Sequence, residues 1–314
     1  RTYKKIIIFN YINKNIIIKD KRVQFKKLSF SNYKKLDVKK NLITSIYYQK
    51  LEESFFWTGE MLCSNMLLEL WDTYMIIMSK YIHIYNPKLP IYINKKFNDF
   101  KNIVAIENND LKLRNHREIR MILFSITTIL CFSDKYTILD DLKYKFNFNI
   151  ENLYENLKAQ NIQYIDFIYT NDDPREYIIP FNELVYHLKE TKTKTDINFW
   201  MNWIINYDIL CRKKKKYILC KQRDFYYNKN EKISKNIIWI IWDLILKLSK
   251  ELHNDLIQRI IYNLFELFKI RYTISTNKKR IFLFYHSIEL LLLGNSIDLN
   301  KELLKNKNIL KNLE

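Results

Sequence analysis

Three carboxylates within five residues, Asp172, Asp173 and Glu176, are the nearest this chain comes to a reaction centre. Two or three carboxylates converging on Mg2+ hold a water and a phosphate in line, which is what a metal-dependent nuclease requires. The same string, Asn171-Asp172-Asp173-Pro174, also makes an ordinary turn in which Asx side chains bond their own backbone. The turn is the leading reading, and the nuclease is kept as an alternative. Glu52-Glu53 and Asp140-Asp141 are further acidic pairs. His116 sits among Arg114, Arg117 and Arg120, cations that would depress its pKa if close in space. On a helix Arg117 and Arg120 share a face and resemble a phosphate or carboxylate clamp. A plain ion pair with Asp110 or Glu107 is the competing expectation.

Other chemistries are excluded by composition. Gly59 and Gly294 are the only glycines, so no dinucleotide fingerprint, P-loop or nucleophile elbow can be built. Cys63, Cys131, Cys211 and Cys220 form no C-x-x-C pair, and no histidine stands at zinc-finger spacing. Cys63 and Cys131 read as small buried hydrophobes, and four scattered thiols fit a reducing compartment better than a disulfide scaffold. No metal or other cofactor is expected, and no catalytic residue is assigned.

The stronger signal is positive charge. The chain has 53 basic and 34 acidic residues, a formal net charge of +19. Its composition is poor in Gly, Ala and Pro and rich in Lys, Asn, Ile, Tyr and Phe, which points to an AT-rich genome and makes some lysine a matter of codon bias. Bias alone would spread lysine evenly. Instead, residues 1–50 hold 14 basic and 2 acidic side chains, residues 51–204 hold 17 and 21, and residues 205–235 hold 10 and 3. The first cluster contains the pairs Lys26-Lys27, Lys34-Lys35 and Lys39-Lys40. The second runs through Arg212, Lys213, Lys214, Lys215, Lys216, Lys221 and Arg223, with Lys229, Lys232 and Lys235 beyond. The third is Lys269, Arg271, Lys278, Lys279 and Arg280. Adjacent like charges repel unless screened or met by an anion, and nucleic-acid phosphates supply that anion. Tyr217, Phe225, Tyr226 and Tyr227 interleave with the second cluster, as in single-strand sites where rings stack on bases and cations follow the backbone. The competing reading is a solvated, lysine-rich loop.

The elements that must carry these residues are mostly helical. Leu51 to Tyr85 has apolar residues near a 3.6-residue period and ends at Asn86-Pro87. Further helices are expected at 91–106, 114–133, 150–160, 181–190, 196–216, 233–252, 254–270, 279–293 and 298–312. Asp196 and Ser234 are candidate N-caps, and Trp57, Trp71, Trp200, Trp203, Trp239 and Trp242 read as core. Residues 162–179 read as a loop or short hairpin. Apolar clusters at 6–9 and 16–18, punctuated by Asn, read as short strands or an extended arm. The fold class is therefore mainly α, an irregular multi-helix bundle with a basic N-terminal arm or short β segment. The expected units are 1–40 for the arm, 41–195 for a first helical half and 196–314 for a second, with one continuous domain over both halves as the alternative. No apolar run reaches the ~18 residues of a membrane span, the longest being Met121–Phe132. The chain begins at Arg1 instead of Met, which leaves a trimmed or processed start open.

Several stretches resemble a family of uncharacterised proteins from nucleocytoplasmic large DNA viruses. They are Phe56–Ser64, Glu69-Leu70-Trp71, Lys80–His83, Asn86–Tyr92, Leu113-Arg114-Asn115 and Asp173-Pro174-Arg175-Glu176. They are spread over residues 50–290 and leave out the basic arm. The resemblance implies a giant-virus origin, with residence in the virion, the infected-cell cytoplasm or the virus factory; an organelle matrix is the alternative. It carries no activity and no site residues. The function expected is that of a non-enzymatic helical viral protein contacting DNA or RNA through clustered Lys/Arg, among other protein subunits of a larger assembly. The alternatives are a virion or minor capsid scaffold binding other proteins, an organellar ribonucleoprotein component, and the nuclease.

Overall fold

Apolar residues three and four apart decide where the helices form and which face each buries. A computed structural model describes residues 17–20, 22, 25–107, 109–136, 144, 146, 148 and 153–305. In chain order the helices are α1 (Lys35–Tyr47), α2 (Leu51–Cys63), α3 (Leu67–Ile77), α4 (Leu89–Ile106), α5 (Asp110–Asn115) and α6 (Arg117–Phe132). After the long turn at 162–177 come α7 (Ile178–Tyr186), α8 (Lys194–Lys213), the single turn α9 (Glu231–Ser234), α10 (Ile238–Glu251), α11 (Asp255–Lys269) and α12 (Asn277–Leu293). The protein is mainly α. Among the described residues the β pairing is limited to an isolated antiparallel bridge between Leu28 and Lys34. No helix there is long and apolar enough to cross a membrane.

One cluster of buried apolar side chains runs from Ile18 to Leu290. In α1 it takes Val38, Leu42 and Ile46, each four residues from the next. In α11 it takes Ile257, Ile260, Ile261, Leu264, Phe265 and Phe268. Helix α11 packs on α4, α10 and α12; α12 packs in turn on α3, and α2 on α1 and α6. Trp71, Trp200, Trp239 and Trp242 are fully buried and Trp203 nearly so, while Trp57 packs at the core's margin. Asparagine, abundant in this chain, caps helix starts. The Asn109 side chain accepts from the N–H groups of Leu111 and Lys112, and Asn254 from that of Ile257.

Several expected boundaries shift. The helix expected from Leu51 to Tyr85 breaks at Ser64–Met66. There Asn65 takes φ 54°, and the N–H groups of Asn65 and Met66 turn back to the carbonyls of Leu62 and Met61. Past α3 the chain widens into a π-turn at Met78–Ile82 and ends in a short 3-10 turn. Asp196 sits inside the first turn of α8, which starts at Lys194, so it is not the cap. Ser234 is not a cap either; Asn236 accepts the Ile238 N–H instead. Residues 298–305 are not helical, and of the expected 150–160 helix only Leu153 and Tyr154 are, with a turn and irregular chain over 155–160; residues 306–312, 150–152 and the clusters at 6–9 and 16 lie outside the described residues.

The described part of the N-terminal region is no free arm. Ile18 N–H donates to Asn115 Oδ1 at 2.7 Å, and Asn115 Nδ2 returns a bond to the Ile18 carbonyl at 3.0 Å. Buried Arg114 donates to the carbonyls of Asp20, Arg22 and Cys63. Glu60, also buried, accepts from the hydroxyls of Ser29 and Ser31 at 2.6 and 2.7 Å.

Candidate nucleic-acid interface

The segment after α8 alternates like a strand although it pairs with none. Ile218, Cys220 and Arg223 are buried, whereas Tyr217, Leu219, Lys221 and Asp224 are exposed. Its anchor is Arg223, whose residue surface is only 7% exposed. The guanidinium straddles Asp173, with Nη1–Oδ1 at 2.9 Å and Nη2–Oδ2 at 3.0 Å, and its Nε reaches Asp243 at 3.2 Å. The two remaining N–H groups go to the carbonyls of Lys221 and Ile168, so all five donors are used. Burial pushes the Asp173 carboxyl up, but the bonds and charge of Arg223 outweigh it and hold the carboxyl below its ordinary value. The Lys221 N–H also donates to Asp173 Oδ1, at 3.0 Å. The 162–177 turn and the basic loop are thereby fastened together.

This arrangement corrects two expectations. Asp173 cannot join a metal-binding carboxylate trio, because Arg223 fills its oxygens, and Glu176 is bound to Lys216 at 3.0 Å. No group of three or more metal-ligating side chains exists among the described residues. Arg223 itself is committed inward and offers nothing to a phosphate.

The other residues singled out from the sequence divide between structural and exposed positions. Arg280 is buried, paired with Asp72 at 2.9 Å and donating to the carbonyls of Phe268 and Ile270, so it too is a structural cation. Tyr226 lies flat on Trp239, ring centroids 3.7 Å apart, and meets Tyr272 edge-on, so its ring is already stacked. Arg212 is half-buried against Asp208 at 2.9 Å. Burial raises the Asp208 carboxyl against the pull of that guanidinium. Lys213, Lys214, Lys215, Lys221 and Lys229 are exposed and make no ion pair among the described residues, and neither do Lys278 and Lys279. Tyr227 is 73% exposed; Tyr217 is 45% exposed, with the Lys232 ammonium 3.8 Å from its ring centroid.

No family model, curated protein or solved structure matches the chain.

What sequence order conceals is convergence. Tyr272, next to Arg271, contacts Tyr226 of the second cluster and Trp239 beyond it; burial raises its hydroxyl pKa and the Asn277 side chain at the head of α12 pulls it back. Lys278 and Lys279 follow directly. Half-buried Lys39 of the first cluster is pushed below its ordinary pKa by burial; Asp72 pulls it up, Lys279 pushes it down and Glu69 pulls it up again. The second cluster thus meets the third at Tyr226 and Tyr272, and the first meets it at Lys39 and Lys279. The signal available beforehand was charge spacing, which could not say that α3 and α12 would bring Lys39 beside Lys279.

Of the arginines around His116, Arg114 and Arg120 are buried and Arg117 is exposed. Arg120, buried, donates to the Arg114 carbonyl and to Asn115 Oδ1, which ends the phosphate-clamp reading. Arg114 Nε reaches the Asp110 carbonyl, not its carboxylate, and Glu107 pairs with Lys112. Cys131, Cys211 and Cys220 are buried and Cys63 half-buried, and no disulfide joins them.

Proposed function

We propose that this chain is a non-enzymatic helical protein that binds nucleic acid through phosphate contacts of the exposed lysines Lys213–Lys215, Lys221, Lys229, Lys278 and Lys279, within a larger viral assembly. The observation that carries this reading is the sorting of the cations. Arg223 and Arg280 are buried and neutralised by Asp173 and Asp72. The exposed lysines make no ion pair among the described residues: Lys221 and Lys229 lie on the loop that Arg223 fixes, Lys213–Lys215 at the end of α8, and Lys278 and Lys279 in the first turn of α12. Unpaired ammonium groups held a few residues apart gain from a polyanion what they lack within the fold, through release of its condensed counterions. With Tyr226 stacked internally, affinity rests on phosphates more than on ring stacking, which is left to Tyr217 and Tyr227.

The test is fluorescence anisotropy with labelled single- and double-stranded DNA and RNA across a salt series. The wild type should bind at low salt and weaken steeply as salt rises. Changing Lys213, Lys214 and Lys215 to Ser should reduce the slope of log K against log salt by roughly two to three. Absence of binding at low salt would refute the reading and leave acidic protein surfaces as the partners of these lysines.

A further inference from the structure

Between the start of α3, the exposed side of α4 and the end of α11 lies an open groove of about 700 Å3. That is within the ~300–1,000 Å3 typical of small-ligand sites. Its floor is apolar, with Phe97 and Phe100 as an aromatic wall and Leu68 and Val104 beside them. The Phe97 ring is held edge-on to buried Trp71, centroids 5.1 Å apart. The amides of Asn94 and Asn98 and the carboxylates of Glu69 and Asp110 stand around this floor.

We propose that this groove receives one unpaired, amino-bearing base (adenine, cytosine or guanine) of a strand whose phosphates meet the exposed lysines; the inference rests on the phosphate-contact reading above. Three observations carry it. The groove adjoins two of the basic clusters: Lys269 and Arg271 of the third line it, and Tyr272, next to Arg271, contacts Tyr226 of the second. Its lining charges cancel, with Glu69, Asp110 and Glu266 against Lys101, Lys269 and Arg271. A phosphate therefore gains little inside, whereas an uncharged ring loses nothing. Finally, the polar groups match a base edge. Asparagine amides both donate and accept, and ionised carboxylates only accept, so Glu69 and Asp110 favour bases carrying an exocyclic NH2, which thymine and uracil lack. Phe97, half-buried in the lining, supplies the aromatic surface against which such a ring packs.

The experiment compares oligo-dA, oligo-dC, oligo-dT and a duplex in the same salt series, using the wild type and two groove variants. Leu68, 41% exposed, is changed to Trp to fill the groove, and exposed Asn98 is changed to Ala. Circular dichroism and thermal melts confirm that both fold. Oligo-dA or oligo-dC should bind the wild type about tenfold more tightly than oligo-dT. Each variant should remove that difference and leave the salt slope unchanged. Equal binding of the three homopolymers, or a preference that survives Leu68→Trp, overturns the groove inference while the phosphate reading stands. Loss of all salt-dependent binding in the wild type overturns the phosphate reading itself. Saturation-transfer NMR with free adenosine and thymidine then judges the groove alone: transfer to adenosine that Leu68→Trp abolishes supports base binding, and equal transfer in both proteins refutes it.

Discussion

At the scale of single residues, the most consequential group is a cation that sequence reading placed on the surface. Arg223 satisfies two carboxylates and two carbonyls from within the loop it anchors. Replacing it leaves Asp173 charged and unpaired in a nearly dry site. Arg223→Gln should therefore lower stability by about 3–5 kcal/mol, read as a shift in the urea midpoint. A change under about 1 kcal/mol would show that the pair contributes little. A second residue-scale effect concerns acid. Burial, then His286 and Lys194, push His83 down to about 2, and burial pushes His286 down to about 3. The unfolded chain takes up protons on these rings below pH ~6.5 while the folded chain does not, so stability falls as pH drops from there. The limiting slope is about 1.4 kcal/mol per pH unit for each ring. The Asp173 carboxyl, held low in the fold, adds its own loss only below its ordinary value of 3.8. Between pH 6 and 4 the decline belongs to histidine, and His286→Gln should flatten it in urea titrations; an unaltered profile would contradict this.

At the scale of elements, the shortage of glycine shapes how helices end. Gln49, Asn65 and Lys215 occupy the left-handed region, with φ 56°, 54° and 59°, just past α1, α2 and α8. In each case the reverse bonds of a glycine-type helix stop are present, such as Lys50 N–H to the Ser45 carbonyl and Lys216 N–H to the Cys211 carbonyl. An L-residue with a side chain is strained there. Gln49→Gly should raise stability by about 1 kcal/mol in chemical denaturation, whereas the same change at a helical position such as Lys40 should lower it by a similar amount. A loss at position 49 would mean that the glutamine side chain outweighs the strain. These joints also mark what the sequence makes legible. The repeat of apolar residues in α1, α6, α10 and α11 reveals helices, because burial of one face sets both pattern and element. The stop at Asn65 interrupts a pattern that continues on either side, so periodicity runs through it, and only the habit of Asn in left-handed turns hints at the break. The site is less legible still. A run of lysines shows where charge lies, but whether Arg223 or Arg280 meets solvent depends on Asp173 and Asp72, 50 and 208 residues distant.

At the scale of the whole molecule, the large apolar cluster joins α1–α6 to α7–α12 through the packing of α3 and α4 on α12 and α11. Calorimetry should therefore show one cooperative melting transition, with equal calorimetric and van't Hoff enthalpies. Two resolved transitions would divide the chain in the way its sequence alone allows, near residue 195. The fastening of the basic loop has a kinetic consequence. Its main chain is ordered when the protein folds, so a partner arriving later has only lysine side chains to immobilise, at roughly 0.5–1.5 kcal/mol each. Those side chains can let go of one phosphate and take the next without any backbone refolding. A surface of this kind favours quick exchange along a polymer over long residence at one address, much as a bearing carries a shaft while letting it turn.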